Sequence, residues 1–242
     1  MSVPMNRTAV ILLASGLSRR YGRNDKMLAN LGGRPLVDHA GGVIAGLDAL
    51  VRVAVCPVDR REVGERLIDR FVIAVNKKPK SGLGHSIAVG VQVALQFRPD
   101  AVLIAMADMP FVEQDVLHSV MSRLGGHGGA DIVHSGGADG VRPPTAFGPA
   151  TFDALAALDG DDGAKAIVRS GAFSVIGIST PAPLLFDIDT KEDLELARAQ
   201  LAIREKYAAQ ANTAPAKPER PAPAPIDLSQ YRAGVREQAA RR

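Results

Sequence analysis

Val10–Leu28 reads VILLASGLSRRYGRNDKML. An apolar run of strand length, rich in β-branched residues, breaks at Ser15-Gly16. A short loop follows, carrying Arg19, Arg20, Arg23 and Lys26. A buried strand that ends in a basic turn is suited to a polyphosphate. Gly16 lets the backbone approach the ligand, loop N–H groups supply donors, and the cations neutralise charge. Two other glycine-rich motifs fit poorly. A P-loop needs Gly-Lys-Ser/Thr, whereas Gly22 precedes Arg23-Asn24. A dinucleotide fingerprint opens directly into a helix, and this loop is too long and too basic for that.

Working outward, short apolar runs alternate with helix-length segments, the pattern of a mainly parallel sheet with helices on both faces. Strands are expected over Ala9–Ala14, Val51–Cys56, Phe71–Val75, Ala101–Ala107, Asp131–His134, Thr145–Phe147 and Val175–Ile178. Helices are expected over Leu36–Leu47, Arg61–Asp69, Ser86–Gln96, Glu113–Leu124, Phe152–Leu158, Ala164–Arg169 and Lys191–Tyr207. The last has the clearest start: Thr190 suits an N-cap, with Asp193 at the capping-box position. In such sheets ligands bind beyond the carboxyl ends of the strands, where the segments after Ala14 and Ala107 both fall.

The formal charge of +3 sits in the tail. Residues 211–242 hold six Lys/Arg against three acids, which leaves 23 of each in the body. A neutral body with few aromatics argues against a nucleic-acid-binding face. A single cysteine, Cys56, suits a reducing compartment and reads as buried and inert. No apolar run approaches the ~20 residues of a membrane span, and Ala9–Ala14 is too short for a signal-peptide core. The expectation is a soluble cytoplasmic protein, with residues 1–210 as the folded domain. Residues 211–242 read as an Ala/Pro-rich linker and basic tail, disordered or else a docking peptide for a partner.

Asp108 follows an apolar strand and precedes Met109-Pro110. It suits a turn, or a hard divalent ion such as Mg²⁺, which takes one or two carboxylates plus substrate phosphates. Asp187 and Asp189 lie just before the terminal helix. Asn76 and the segment Ser81-Gly82-Leu83-Gly84-His85-Ser86 form a third piece: the glycines would let this backbone pass close to a flat ligand, and Ser86 would cap a helix. His85 reads as a surface residue. Asp161 or Asp162 would cap the helix that follows. Arg142 and Lys165 would face an anionic acceptor or simply solvent. His127 and His134 show no zinc spacing.

Together these pieces resemble MobA-like nucleotidyltransferases. The resemblance is carried by Leu13-Ala14-Ser15-Gly16 with Ser18, Arg20 and Lys26, by Asp108-Met109-Pro110, by Gly82–Ile87, and by Asp187-Ile188-Asp189-Thr190. Lys191 stands where the family has Pro. Within the family, Gly140–Phe147 and Leu158–Lys165 are similar to molybdenum cofactor cytidylyltransferases. The resemblance implies a three-layer Rossmann-like fold of the nucleotide-diphospho-sugar transferase type. It also implies transfer of CMP from CTP to the terminal phosphate of molybdopterin with release of pyrophosphate. Arg20, Lys26 and Asp108 would be catalytic; Leu13, Ala14, Ser15, Gly16, Arg20, Lys26, Asn76, Gly82 and Ser86 would bind nucleotide. Asp108 and Asp189 would hold Mg²⁺, while Asp187 is either a further ligand or a structural acceptor. Partners would be the nucleotide, the pterin cofactor and a client molybdoenzyme or its chaperone. Ser15 departs from the family pattern, and its Cβ would crowd a purine on that turn more than a pyrimidine. Three alternatives remain: guanylyl transfer to molybdopterin, another phosphorylated acceptor, and a non-catalytic cofactor carrier.

Overall fold

The run Thr8–Leu13 forms β1, and all six of its side chains are buried. In the computed structural model, which describes residues 2–18, 20–22, 25–125, 128–137 and 140–213, β1 has a core on each side. Val10 and Leu12 point into one, with Val37, Ala40, Leu103, Leu117 and Val120. Ala9, Ile11 and Leu13 point into the other, with Val53, Val55, Ile87, Val91 and Phe147. A strand covered on both faces reads as a continuous apolar run rather than an alternating one.

β1 pairs in parallel with β4 (Val51–Pro57) on one side and β6 (Ala101–Met106) on the other. β5 (Val72–Asn76), β7 (Ile132–His134), β8 (Thr145–Phe147) and β9 (Val175–Gly177) complete a seven-stranded sheet in the order β5-β4-β1-β6-β8-β7-β9. Only β8 runs antiparallel among these strands. On one face lie α1 (Leu36–Ala45), α2 (Arg61–Glu65) and α4 (Gln114–Ser122). On the other lie α3 (Gly82–Leu95), α5 (Phe152–Ala156) and α6 (Lys165–Arg169). The fold is three-layer and Rossmann-like, as its pattern implied. The order reverses beside β1, between β4 and β6, which is where doubly wound sheets leave a crevice.

The terminal helix α7 spans Lys191–Thr213, six residues past the expected end. Its start is a reciprocal box: Asp193 N–H donates to Thr190 Oγ1 (3.1 Å) and Thr190 N–H to Asp193 Oδ2 (2.8 Å). The chain divides into two units, Met1–Ile203 and Arg204–Arg242, so the division falls inside α7. The readings of Arg19, Arg23, His127 and residues 214–242 lie outside the described residues. No helix among those described is long and apolar enough to cross a membrane.

Three expectations need correction. The hairpin β2 (Asn30–Leu31) with β3 (Arg34–Pro35) was not expected. Gly32 and Gly33 supply its two positive φ angles (59° and 83°), and that pair was the readable signal. α3 begins at Gly82 rather than Ser86, so Ser86 lies inside the helix and caps nothing. Neither Asp161 nor Asp162 caps α6 by its side chain; Lys165 N–H donates to the backbone carbonyl of Asp162 (3.2 Å).

His134 is buried at the end of β7, and its Nδ1 accepts the Gly136 N–H (3.2 Å). Burial holds the imidazole below its usual pKa. With the folded value depressed, the unfolded chain binds the proton first. This stability is therefore complete above about pH 6.5 and is lost as pH falls through the folded value. The midpoint of thermal unfolding should drop between pH 7.5 and 5.5. His134→Asn, whose amide oxygen can still accept from Gly136, should flatten that drop; equal slopes would refute the assignment.

Candidate active site

Residue types dictate how the cleft is built. β1 ends and the chain turns through Ser15-Gly16, where a Cβ at Gly16 would meet open space. Ser18 adopts a positive φ of 52°, and its Oγ is buried without a hydrogen-bond partner among the described residues. Tyr21 then anchors the loop in an apolar cluster with Leu31, Leu36, Phe111, Ile188 and Leu194. A short 3-10 turn, Lys26–Leu28, is capped by Asp25, whose Oδ1 accepts the Met27 N–H (3.0 Å). That turn drives the Lys26 side chain inward.

Lys26 is 4% exposed. Its Nζ donates to Asp108 Oδ2 (2.7 Å), Asp189 Oδ1 (3.0 Å) and the Ile188 carbonyl (2.9 Å). Arg20 pairs with the other oxygen of Asp189. Loop residues after β1, a carboxylate after β6 and a carboxylate before α7 thus meet at one point. Burial alone would lower the Lys26 ammonium, but Asp108 and Asp189 together outweigh it and hold it above its usual pKa. Burial raises the Asp108 carboxyl; Lys26 opposes that, while Asp189 and Asp187 reinforce it.

Asp108 Oδ1 is buried and has no hydrogen-bond partner among the described residues. A buried carboxylate oxygen left unpaired is costly, and it points to an incoming cation. No group of three or more His, Cys, Asp or Glu side chains among the described residues is placed to hold a metal ion. The donor set is two carboxylates, which matches the habit of Mg²⁺ rather than a structural metal cage.

The cleft, of about 270 Å³, is lined by Leu13, Ser15, Gly16, Arg20, Lys26, Gly82, Ser86, Asp108 and Asp189 among the residues expected there. Two others are not on it. Ala14 is fully buried and donates its N–H to Val55 O (2.9 Å). Asn76 is also fully buried: its Nδ2 donates to Ser86 Oγ (3.0 Å) and its Oδ1 accepts the Lys78 N–H (2.8 Å). Both shape the cleft from behind. Ser15 turns its hydroxyl inward and donates to Ser86 Oγ (2.7 Å), tying the β1 turn to α3.

Gly82 and Gly84 also approach protein backbone closely. A Cβ on Gly84 would lie 2.6 Å from Asp159 O, and one on Gly82 2.4 Å from Gly160 C. Gly84 N–H donates to Gly160 O (2.8 Å), which sets Asp161 at the cleft edge. Gly84→Ala should displace residues 159–161 and cost about 1–3 kcal/mol in urea unfolding; no loss would show that this loop adapts freely.

Arg142 does not face the cleft; it holds the Leu185 carbonyl (2.8 Å) and Asp187 (3.2 Å). Asp187 thus accepts from a side chain rather than from backbone. Cys56 is buried, and burial pushes its thiol up to about 12, so it stays protonated. The cleft also has lining that no motif announced: Leu17, Met27, Pro79 and Met106. Apolar neighbours of a motif carry no chemical label of their own, so only their position after folding reveals them.

The family model of the MobA-like NTP transferase domain matches residues 10–175, which span β1 to β9 and the cleft except Asp189. The chain belongs to that family. Purine catabolism protein PucB of Bacillus subtilis is 26% identical over 201 residues, covering 78% of this chain and 94% of PucB. Among solved structures, the homologue of Mycobacterium tuberculosis rv0371c from Mycobacterium sp. strain JC1 superposes with a TM-score of 0.71. It is 23% identical, over 82% of this chain and 98% of that one. Molybdopterin-guanine dinucleotide biosynthesis protein A from Archaeoglobus fulgidus gives 0.60 at 20% identity, over 81% and 99%. MobA-like proteins are nucleotidyltransferases, and the cleft of this one is lined by Arg20, Lys26, Asp108 and Asp189.

Proposed function

We propose that this protein is a Mg²⁺-dependent cytidylyltransferase that joins CMP from CTP to the terminal phosphate of molybdopterin. The observation that carries the reading is the convergence of Lys26 with Asp108 (2.7 Å) and Asp189 (3.0 Å), with Arg20 at the rim. In the reaction, an oxygen of the acceptor phosphate bonds to the α-phosphorus. The bond from that phosphorus to the α,β-bridging oxygen breaks, and pyrophosphate leaves with the electron pair. An ionised phosphate needs no general base, so the protein's task is alignment and charge neutralisation. Lys26 would serve the α-phosphate by exchanging one of its three present acceptors, and Arg20 would serve the departing β,γ-phosphates. The turn at Ser15-Gly16 brings backbone donors to the same place. Asp108 and Asp189 would hold Mg²⁺, which would supply neutralisation of phosphate charge.

Cytosine is favoured by Asp108-Met109-Pro110 and by the Gly160–Lys165 segment, which resemble the cytidylyl branch. Guanylyl transfer is the second reading, and the likeness to the Archaeoglobus fulgidus protein favours it. The test incubates the full chain with Mg²⁺, molybdopterin and each of CTP, GTP, ATP and UTP, with pyrophosphate as readout. Release with CTP is expected. Release with GTP alone would replace the base assignment, and no release with any of the four would overturn the reading.

A further inference from the structure

We propose that Arg60 is a positioning residue that clamps the two ends of the triphosphate loop and thereby aims Lys26. It stands between β4 and α2 and does not line the cleft. It lines the groove on the other side of the loop, with Tyr21, Asp25, Leu28 and Lys191. Its guanidinium lies 3.5 Å from the Ser15 carbonyl, where the loop leaves β1, and 3.3 Å from Asp25 Oδ1, where the loop ends. Nothing in the loop motif announces an arginine 35 residues downstream of Asp25.

The consequence for Lys26 is short and direct. Asp25 Oδ1 both receives Arg60 and caps the 3-10 turn that begins at Lys26. Asp25 is largely buried, with its side chain 11% exposed, and its Oδ2 has no hydrogen-bond partner among the described residues. A carboxylate taken out of water needs a partner of opposite charge, and Arg60, itself 19% exposed, supplies it. The guanidinium is a planar fork that can reach two acceptors on separate strands of chain at once; an ammonium is a point charge and would serve one. The second contact of Arg60 with an acid, Asp59 at 3.7 Å, is to a side chain 64% exposed and contributes little.

Among the described residues between the clamped ends, Arg20 pairs with Asp189 and the Tyr21 N–H donates to the Ser18 carbonyl (3.0 Å). Tyr21 is the loop's apolar anchor, and Ser18 carries an unfavourable backbone angle. Closing about ten residues of chain costs entropy that a cross-link at the loop ends offsets. A site whose supporting contacts loosen by an ångström loses rate or affinity on the order of 10²-fold at most.

The inference rests on the loop's role in binding triphosphate, and its test has one arm that does not. In hydrogen exchange on the full chain without nucleotide, Arg60→Ala should speed exchange of amides in residues 15–28 on the order of tenfold. β1, β4 and α1 should be unchanged. In calorimetric titration with Mg²⁺ and CTP, the same variant should bind on the order of tenfold more weakly. Arg60→Lys should fail to restore binding, and millimolar guanidinium should restore it to Arg60→Ala. Because Arg60 acts through Asp25, Arg60→Ala should add less than about twofold in an Asp25→Ala background. Arg60→Gln serves should the alanine variant fold poorly. Unchanged exchange, additive losses in the double variant, or full activity of Arg60→Lys would each overturn the clamp. Wild-type protein that binds no triphosphate would defeat the transferase reading, while the exchange arm would still judge the clamp.

Discussion

Asp108→Ala should lower pyrophosphate release by at least about 10²–10³-fold while the protein stays folded. Asp108 is where the buried charge of the cleft has an open valence: one oxygen is taken by Lys26 and the other has no partner among the described residues. Removing the carboxylate leaves Lys26 with Asp189 Oδ1 and the Ile188 carbonyl, so the ammonium remains paired. The neighbouring backbone is held independently, since Ile188 N–H donates to the Asp108 carbonyl (3.0 Å) in any variant at that position. The expected signature is therefore lost turnover with an unfolding midpoint near that of wild type. Turnover within a few-fold of wild type would remove Asp108 from the chemistry.

Lys26→Met should lose turnover to a similar extent and, unlike Asp108→Ala, should destabilise the fold by about 3–5 kcal/mol. The ammonium is the shared partner of two carboxylates, and one of them, Asp108, lies on a side chain only 11% exposed. Without the lysine, Asp108 is a buried charge with no compensation. Asp189 fares better, since it keeps Arg20. It follows that the double variant Lys26→Met/Asp108→Ala should be more stable than Lys26→Met alone, while remaining inactive. Urea unfolding of the three variants measures this directly. A double variant no more stable than Lys26→Met would show that the loss comes from packing of the lysine stem and not from an unpaired carboxylate.

The two effects separate because one group acts on the reaction and the other acts on the reaction and the fold. Arg60 extends the same logic outward, from the residues that meet substrate to the one that holds their loop.

Much of this was readable before folding. Thr145–Phe147 matches its strand residue for residue, and β1, β4, β5, β6, β7 and β9 fall within one residue of expectation at each end. Each is a short apolar run whose neighbours are turn-formers, so local chemistry suffices. Helix ends were less legible. α2 stops at Glu65 rather than Asp69, and α3 begins four residues early, with Gly84 in its first turn packed on Asp159. A glycine-rich segment carries no local helix signal, and the loop it packs on lies about 75 residues away.

What the chain determined by itself was the alternation of strands and helices, the basic turn after β1, and which acids stand at strand ends. These follow from periodicity and residue type, which act over a few neighbours. Tertiary structure alone decided that Lys26 lies between Asp108 and Asp189, that Ser15 and Asn76 bond to Ser86, and that Arg60 holds Asp25. Those pairings join residues 10 to 163 positions apart. No local preference encodes them: they exist because a doubly wound sheet brings the carboxyl ends of its central strands together, and burial then requires every charge there to find a partner.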